Sequence, residues 1–244
     1  MKTEIFTVGP LEVNSCLLWD DQTGDAAIID FGARKDSERE HLDMIIRAER
    51  LTLRYALQTH MHFDHVYGLP YIYNKYGICP MCHPDDERLY QLAPRMAEAI
   101  GLPMRESLPP LGSPLSDGLE LQVGSIDIQV IHTPGHSPGG VCFYLPQTGC
   151  LFCGDTLFAG GVGRTDLPGG DFDQLKQSVV ERLFTLPPET RVLPGHGPVT
   201  TIGWERENNP YVSYSRQRRA GCLTRGPARR CFTMSISMLR CLRT

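Results

Sequence analysis

Short apolar runs at residues 4–8, 16–20 and 25–30 predict three strands, with the polar stretch Asp20 to Asp25 as the turn between the last two. Ser37 to Arg50 changes period: Leu42, Ile45, Ile46 and Glu49 recur at helical spacing, and Ser37 with Glu40 has the form of a capping box. A buried strand follows at Tyr55-Ala56-Leu57-Gln58, then helical spacing from Val66 to Tyr76 and again over 84–100. The Pro- and Gly-rich span 101–118 reads as a loop, 119–123 and 126–131 as a hairpin turning at Gly124-Ser125, and 141–145 and 150–153 as strands. Leu175, Val179 and Leu183 share one face of a helix over 171–184, and Arg191-Val192-Leu193 forms a last strand.

Candidate chemistry sits at the ends of these strands. Between the fourth strand and its helix lies Thr59-His60-Met61-His62-Phe63-Asp64-His65, four metal-binding side chains within six positions. Histidines two apart at a strand end can point the same way, while the next two residues turn elsewhere on entering the helix, so one loop can serve two metal sites. A chance cluster of surface or core histidines is the plainer reading, but it does not account for the interleaved carboxylate or the strand that precedes it. Further on, His136 follows a strand in Thr133-Pro134-Gly135-His136-Ser137-Pro138-Gly139, Asp155 follows the strand at 150–153, and His196 follows the last strand in Pro194-Gly195-His196-Gly197-Pro198. Two β-rich halves flanked by helices would bring these strand ends to one edge, where open sheets place their sites. Asp30, at the end of the third strand, is either a partner of a ligand or a turn-forming residue.

Composition narrows the setting. The 244 residues carry a net charge of −4 and 41% apolar side chains, ordinary for a globular chain, with no whole-chain bias toward nucleic acid. No apolar run approaches membrane-spanning length, and Met1 to Phe6 lacks a signal-like apolar core, so a cytoplasmic protein with reduced cysteines is expected. Residues 213–244 depart from the rest, with eight Arg, three Cys, no Lys and no acid. They are expected to form a disordered basic extension or to lie outside the fold, leaving 1–212 as the domain.

His60-Met61-His62-Phe63-Asp64-His65, His136, Asp155 and His196 together resemble the ligand set of the metallo-β-lactamase superfamily, in the manner of its glyoxalase II (hydroxyacylglutathione hydrolase) branch. The resemblance covers roughly 3–212, and Asp30 matches the first motif with Phe31 where proline is common. It implies an α/β fold, a four-layer αβ/βα sandwich with a two-metal site between the sheets. By position, His60, His62 and His136 would hold one ion, Asp64, His65 and His196 the other, and Asp155 would bridge them, with Asp64 and Asp155 as the catalytic carboxylates. Zinc is the first expectation, with iron or manganese the alternatives. The stretch from Gly154 to Asp171 resembles compact bacterial members without the C-terminal helical domain that grips glutathione. Arg164 falls where longer enzymes place a basic glutathione contact, while Asp166 stands where they carry tyrosine.

Such a site can activate water between two cations, and a thioester suits it because a thiol of pKa about 8.5 leaves without a dedicated acid. The expected activity is hydrolysis of an S-acylated small thiol such as S-lactoylglutathione, with no membrane partner. The nearest rival is a persulfide dioxygenase of the same fold, which uses one iron held by two histidines and an aspartate and shares a Gly163-to-Asp166-like stretch. A β-lactamase would carry an export signal and, in many cases, cysteine in place of Asp155. A non-catalytic metal-binding protein would have lost ligands, and none is lost. Cys79-Pro80-Met81-Cys82-His83 has the spacing of a haem attachment but reads as ordinary thiols beside a strand, and Cys150 and Cys153 read as core fillers. His132 is expected to point away from the His136 loop, and Tyr67 and Tyr71 to be core or rim residues.

Overall fold

The computed structural model describes residues 1–212; the expected basic extension at 213–244 lies outside the described residues. Two mixed sheets stack face to face. The first has five strands in the order β1 (Lys2–Val8), β2 (Val13–Trp19), β3 (Asp25–Ile29), β4 (Thr52–Leu57) and β5 (Pro80–Met81), with β3, β4 and β5 parallel. The second begins with the hairpin β6 (Glu120–Val123) and β7 (Ile126–His132), continues through β8 (Val141–Leu145) and β9 (Cys150–Gly154), and crosses over past a two-stranded ribbon, β10 (Leu157–Phe158) and β11 (Gly161–Val162). It ends with β12 (Arg191–Pro194), parallel to β9, and β13 (Thr200–Thr201).

Strand alternation divides the core into layers. Cys16, Leu18, Ala27, Ile29, Val141, Phe143, Leu145 and Phe152 meet between the sheets. Their immediate neighbours Leu17, Trp19, Ala26 and Ile28 face the helices α1 (Asp36–Ala48) and α3 (Leu69–Tyr76). On the far side Cys142, Tyr144, Leu151 and Cys153 pack against α5 (Phe172–Gln177), its continuation to Leu183, and α6 (Ile202–Asn208). Strands buried on both faces read as unbroken apolar runs for this reason. The result is the four-layer helix–sheet–sheet–helix sandwich implied by the resemblance. No described helix is long and apolar enough to cross a membrane. The six cysteines among the described residues, Cys79 and Cys82 included, are free thiols.

Several elements differ from the sequence-based expectation. The helix expected at 66–76 is split into α2 (Phe63–Val66) and α3, which starts after Gly68 with Pro70 in its first turn. The helix expected at 84–100 opens as a 3₁₀ turn at Pro84–Asp86 before α4 (Glu87–Ala99). Ser37 and Glu40 do not cap α1; the helix starts at Asp36, and Glu38 accepts from the backbone N–H of Arg34 and Lys35. The helix expected over 171–184 passes into a π-helical stretch at Ser178–Leu183, which keeps Val179 and Leu183 in the core. The short strands β10, β11 and β13 carry too few residues for a period to register.

Gly68 is the joint that lets α2 present its polar residues beneath the first sheet. A Cβ there would lie 2.3 Å from the Phe31 ring and 2.6 Å from the Phe31 carbonyl oxygen. Gly68→Ala is therefore expected to destabilise the protein by about 1–3 kcal/mol through overpacking, read as a lower urea midpoint at unchanged m-value.

Candidate metal centre

The seven side chains singled out in the sequence arrive on loops at the ends of β4, β7, β9 and β12 and meet at one edge of the sandwich. His60, His62 and His136 form one group; Asp64, His65 and His196 form another; within each, the donor atoms lie within 4.8 Å of one another. Asp155 stands between the groups. One of its oxygens is 3.5 Å from His65 Nε2, and the other is 3.6 Å from His136 Nε2 and 3.7 Å from His196 Nε2.

On four of the five rings, His62 excepted, a polar contact on the outer side sets which nitrogen faces inward. His136 Nδ1 donates to the Arg164 carbonyl at 2.7 Å, leaving Nε2 bare. Thr59 Oγ donates to Asp30 at 2.6 Å, so His60 Nδ1 donates to Thr59 Oγ at 3.0 Å and its Nε2 is bare as well. These two lone pairs face each other 3.3 Å apart, and His62 Nδ1 comes within 2.9 Å of the same His136 nitrogen. On the other side His196 Nδ1 donates to the Glu12 carbonyl at 3.2 Å, turning Nε2 to Asp64 at 3.3 Å. His65 Nδ1 lies 3.1 Å from Asp30, turning its Nε2 inward. Buried His65 Nε2 and Asp155 Oδ1 have no hydrogen-bond partner. The facing lone pairs of His60 and His136 repel unless a cation sits between them, and mixed imidazole and carboxylate donors suit a divalent transition metal.

Electrostatics separates the two groups. Burial, reinforced by the neighbouring histidines, holds His60 well below the usual imidazole range and His62 down at about 3. Burial also opposes charge on His65 and His196, but carboxylates outweigh it: Asp64, Asp30 and Asp155 raise His65 well above the usual range, and Asp155 and Asp64 raise His196. Against the same burial, His196 and His65 hold Asp155 well below the carboxylate range.

Supporting contacts resolve what the sequence left open. Asp30 takes both roles considered for it: φ of 50° makes the turn, and its carboxylate accepts from the backbone and side chain of Thr59 beside His60. The His196 loop is tied by Asn14, whose amide donates to the Pro194 and Gly197 carbonyls at 3.1 and 2.8 Å. Nothing in the local sequence around Asn14 signals this, because the partners are 180 and 183 residues away. His132 does not point away from the His136 loop; the loop folds back over the strand end, and His132 Nε2 donates to the Pro138 carbonyl at 3.0 Å. Arg164 supports His136 through its carbonyl, while its guanidinium forms a two-pronged pair with Asp166 at 2.7 and 2.8 Å. Tyr67 and Tyr71 donate to the Leu102 carbonyl and to Asp43.

Residues 8–196 match the model of the metallo-beta-lactamase superfamily. The chain is 35% identical to the hydroxyacylglutathione hydrolase GloC of Haemophilus influenzae, over 87% of this chain and 99% of that protein. Among solved structures it resembles TTHA1623 in a di-iron-bound form, at 41% identity and TM-score 0.76 over 85% of this chain and 99% of that one. It also resembles BLEG-1, a B3 metallo-beta-lactamase, at 35% identity and TM-score 0.77 over 86% of this chain and 99% of that one.

The contrast in proton affinity carries a prediction. With their pKa raised, His65 and His196 hold protons in the metal-free protein at pH values where His60 and His62 are already neutral. A metal ion bound by Asp64, His65 and His196 would have to expel those protons, so its affinity would rise with pH until the raised pKa values are passed. Lowering the pH from 8 to 5 would then remove an ion held on that side before one held by His60, His62 and His136. Calorimetry in buffers of different ionisation enthalpy should show proton release accompanying that step.

Proposed function

The chain belongs to the metallo-β-lactamase superfamily, whose members are typically metal-dependent hydrolases, and from that premise we propose that it hydrolyses the thioester of an S-acylated small thiol, with S-lactoylglutathione the first candidate. The observation that carries the reading is the pair of donor groups, three histidines on one side and Asp64, His65 and His196 on the other, with Asp155 reaching both. In this reading His60, His62 and His136 would hold one divalent ion, Asp64, His65 and His196 would hold a second, and Asp155 would serve both; zinc is proposed, with iron and manganese as alternatives. Ions so held supply a water made acidic near neutral pH and a polarised carbonyl.

The chain's own residues do the rest. Asp30 and the carbonyls of Arg164 and Glu12 fix the ring orientations, so that donor nitrogens need no rearrangement. Burial of His60, His62 and His65 keeps bulk water from competing for the donor atoms. The expelled thiolate needs no protonated side chain, since its thiol pKa is about 8.5. This favours a thioester over an amide, whose leaving nitrogen demands a proton. Arg164, at the rim beside Asp166, is proposed to meet an anionic part of the thiol. The 35% identity to a hydroxyacylglutathione hydrolase supports the same choice of substrate. A one-iron dioxygenase would leave Asp64 and His196, 3.3 Å apart, without a role at the centre.

Two measurements test the reading. Asp155→Ala should lose bound metal and lower kcat/KM for S-lactoylglutathione by more than the roughly 10–100-fold typical of a lost outer partner; full turnover with a normal metal content would overturn it. Oxygen uptake with glutathione persulfide, in place of thioester hydrolysis, would establish the dioxygenase instead. Arg164→Ala should raise KM by about tenfold at unchanged kcat, the scale of one charge-assisted hydrogen bond.

A further inference from the structure

His136 reaches the centre from the second sheet, whereas His60 and His62 come from the first. Some contact must fix one against the other to within the tolerance of a metal bond, and the second carboxylate of Pro84-Asp85-Asp86 lies where the two loops meet. Asp86 is fully buried. Its Oδ2 accepts from the backbone N–H of Met61, between His60 and His62, at 3.0 Å, and from Ser137 Oγ, beside His136, at 2.8 Å. Its Oδ1 accepts from the Gly139 N–H at 2.6 Å. A Cβ on Gly139 would stand 2.6 Å from the Asp86 nitrogen, so the loop is pressed against this residue and has no slack. From the other side His132 holds the Pro138 carbonyl, its ring stacked at 4.1 Å on that of His83, three residues before Asp86. The His196 loop has a separate tie through Asn14.

We propose that Asp86 is a positioning residue for the three-histidine half of the centre: by accepting simultaneously from Met61, Ser137 and Gly139 it sets His136 against His60 and His62, and it has no comparable hold on His196. Three donors meet two oxygens, so the side chain must be all acceptor. A carboxylate satisfies this, whereas an amide turns its own N–H toward a donor. The inference rests on the assignment of His60, His62 and His136 to one ion.

The test uses the full chain loaded with cobalt(II), whose visible bands report the geometry of each site, together with chelator competition for the two affinities. Asp86→Asn should weaken one cobalt ion by about 10–100-fold, with the bands of the imidazole-rich site changed, and leave the other ion within about twofold of the parent, within experimental scatter. Equal weakening of both ions, or of neither, overturns the proposal. Ser137→Ala removes one donor and keeps the carboxylate, so it decides the matter if Asp86→Asn does not fold: a smaller loss confined to the same ion supports the proposal, and no loss or an unselective loss sinks it. Should the parent chain take up fewer than two cobalt ions, the two-ion reading fails and the proposal falls with it; two ions without selectivity in the variants overturn the positioning role alone.

Discussion

Lone pairs turned toward one another in a place that water reaches poorly are the constraint around which the protein is built. His60 Nε2 and His136 Nε2 face each other at 3.3 Å, and His65 and His196 turn Nε2 to the carboxylates of Asp155 and Asp64. The first arrangement is unfavourable by itself, because desolvation strengthens the repulsion between facing lone pairs, and the second needs a proton or a cation between its partners. It persists because four of the five rings are held from behind, by Thr59, Asp30, Arg164 or Glu12, and because the loops that carry the rings spring from strands anchored in the core.

The sandwich explains how ligands so far apart in the chain come together. Parallel strands β3, β4 and β5 in one sheet, and β9 beside β12 in the other, send their following loops to the same edge. The two sheets meet through Phe143, Phe152, Leu18 and Ile29, so their separation is set by side-chain volume and the loops inherit it. Polar ties then make the last adjustment: Asn14 for the His196 loop, and Asp86 and His132 for the His136 loop.

The same centre also marks where chemical argument passes to specificity. Relatives of similar identity include a hydroxyacylglutathione hydrolase and a B3 metallo-beta-lactamase, so the shared fold is compatible with more than one scissile bond. The thioester proposed for this chain follows from leaving-group chemistry and from the basic residue at the rim, and depends less on the donor atoms themselves.

Much of this was legible in the chain as text. Apolar runs located the principal strands, because a strand buried on both faces leaves little room for polar residues, and each candidate ligand followed such a run. Local pattern marks a break near Gly68 through Pro70, but not that the position demands glycine, since the Phe31 ring and carbonyl packed against it come from an earlier loop. Nor could it choose between the two roles of Asp30, orient His132, or single out Asn14 and Asp86, whose partners lie from 25 to 183 residues away. Residue type and spacing determined which atoms were able to act as donors. For His136 and His196 only the tertiary structure decided which ring nitrogen faces inward, because that depends on a hydrogen bond made behind the ring to the carbonyl of Arg164 or Glu12, far away in the chain.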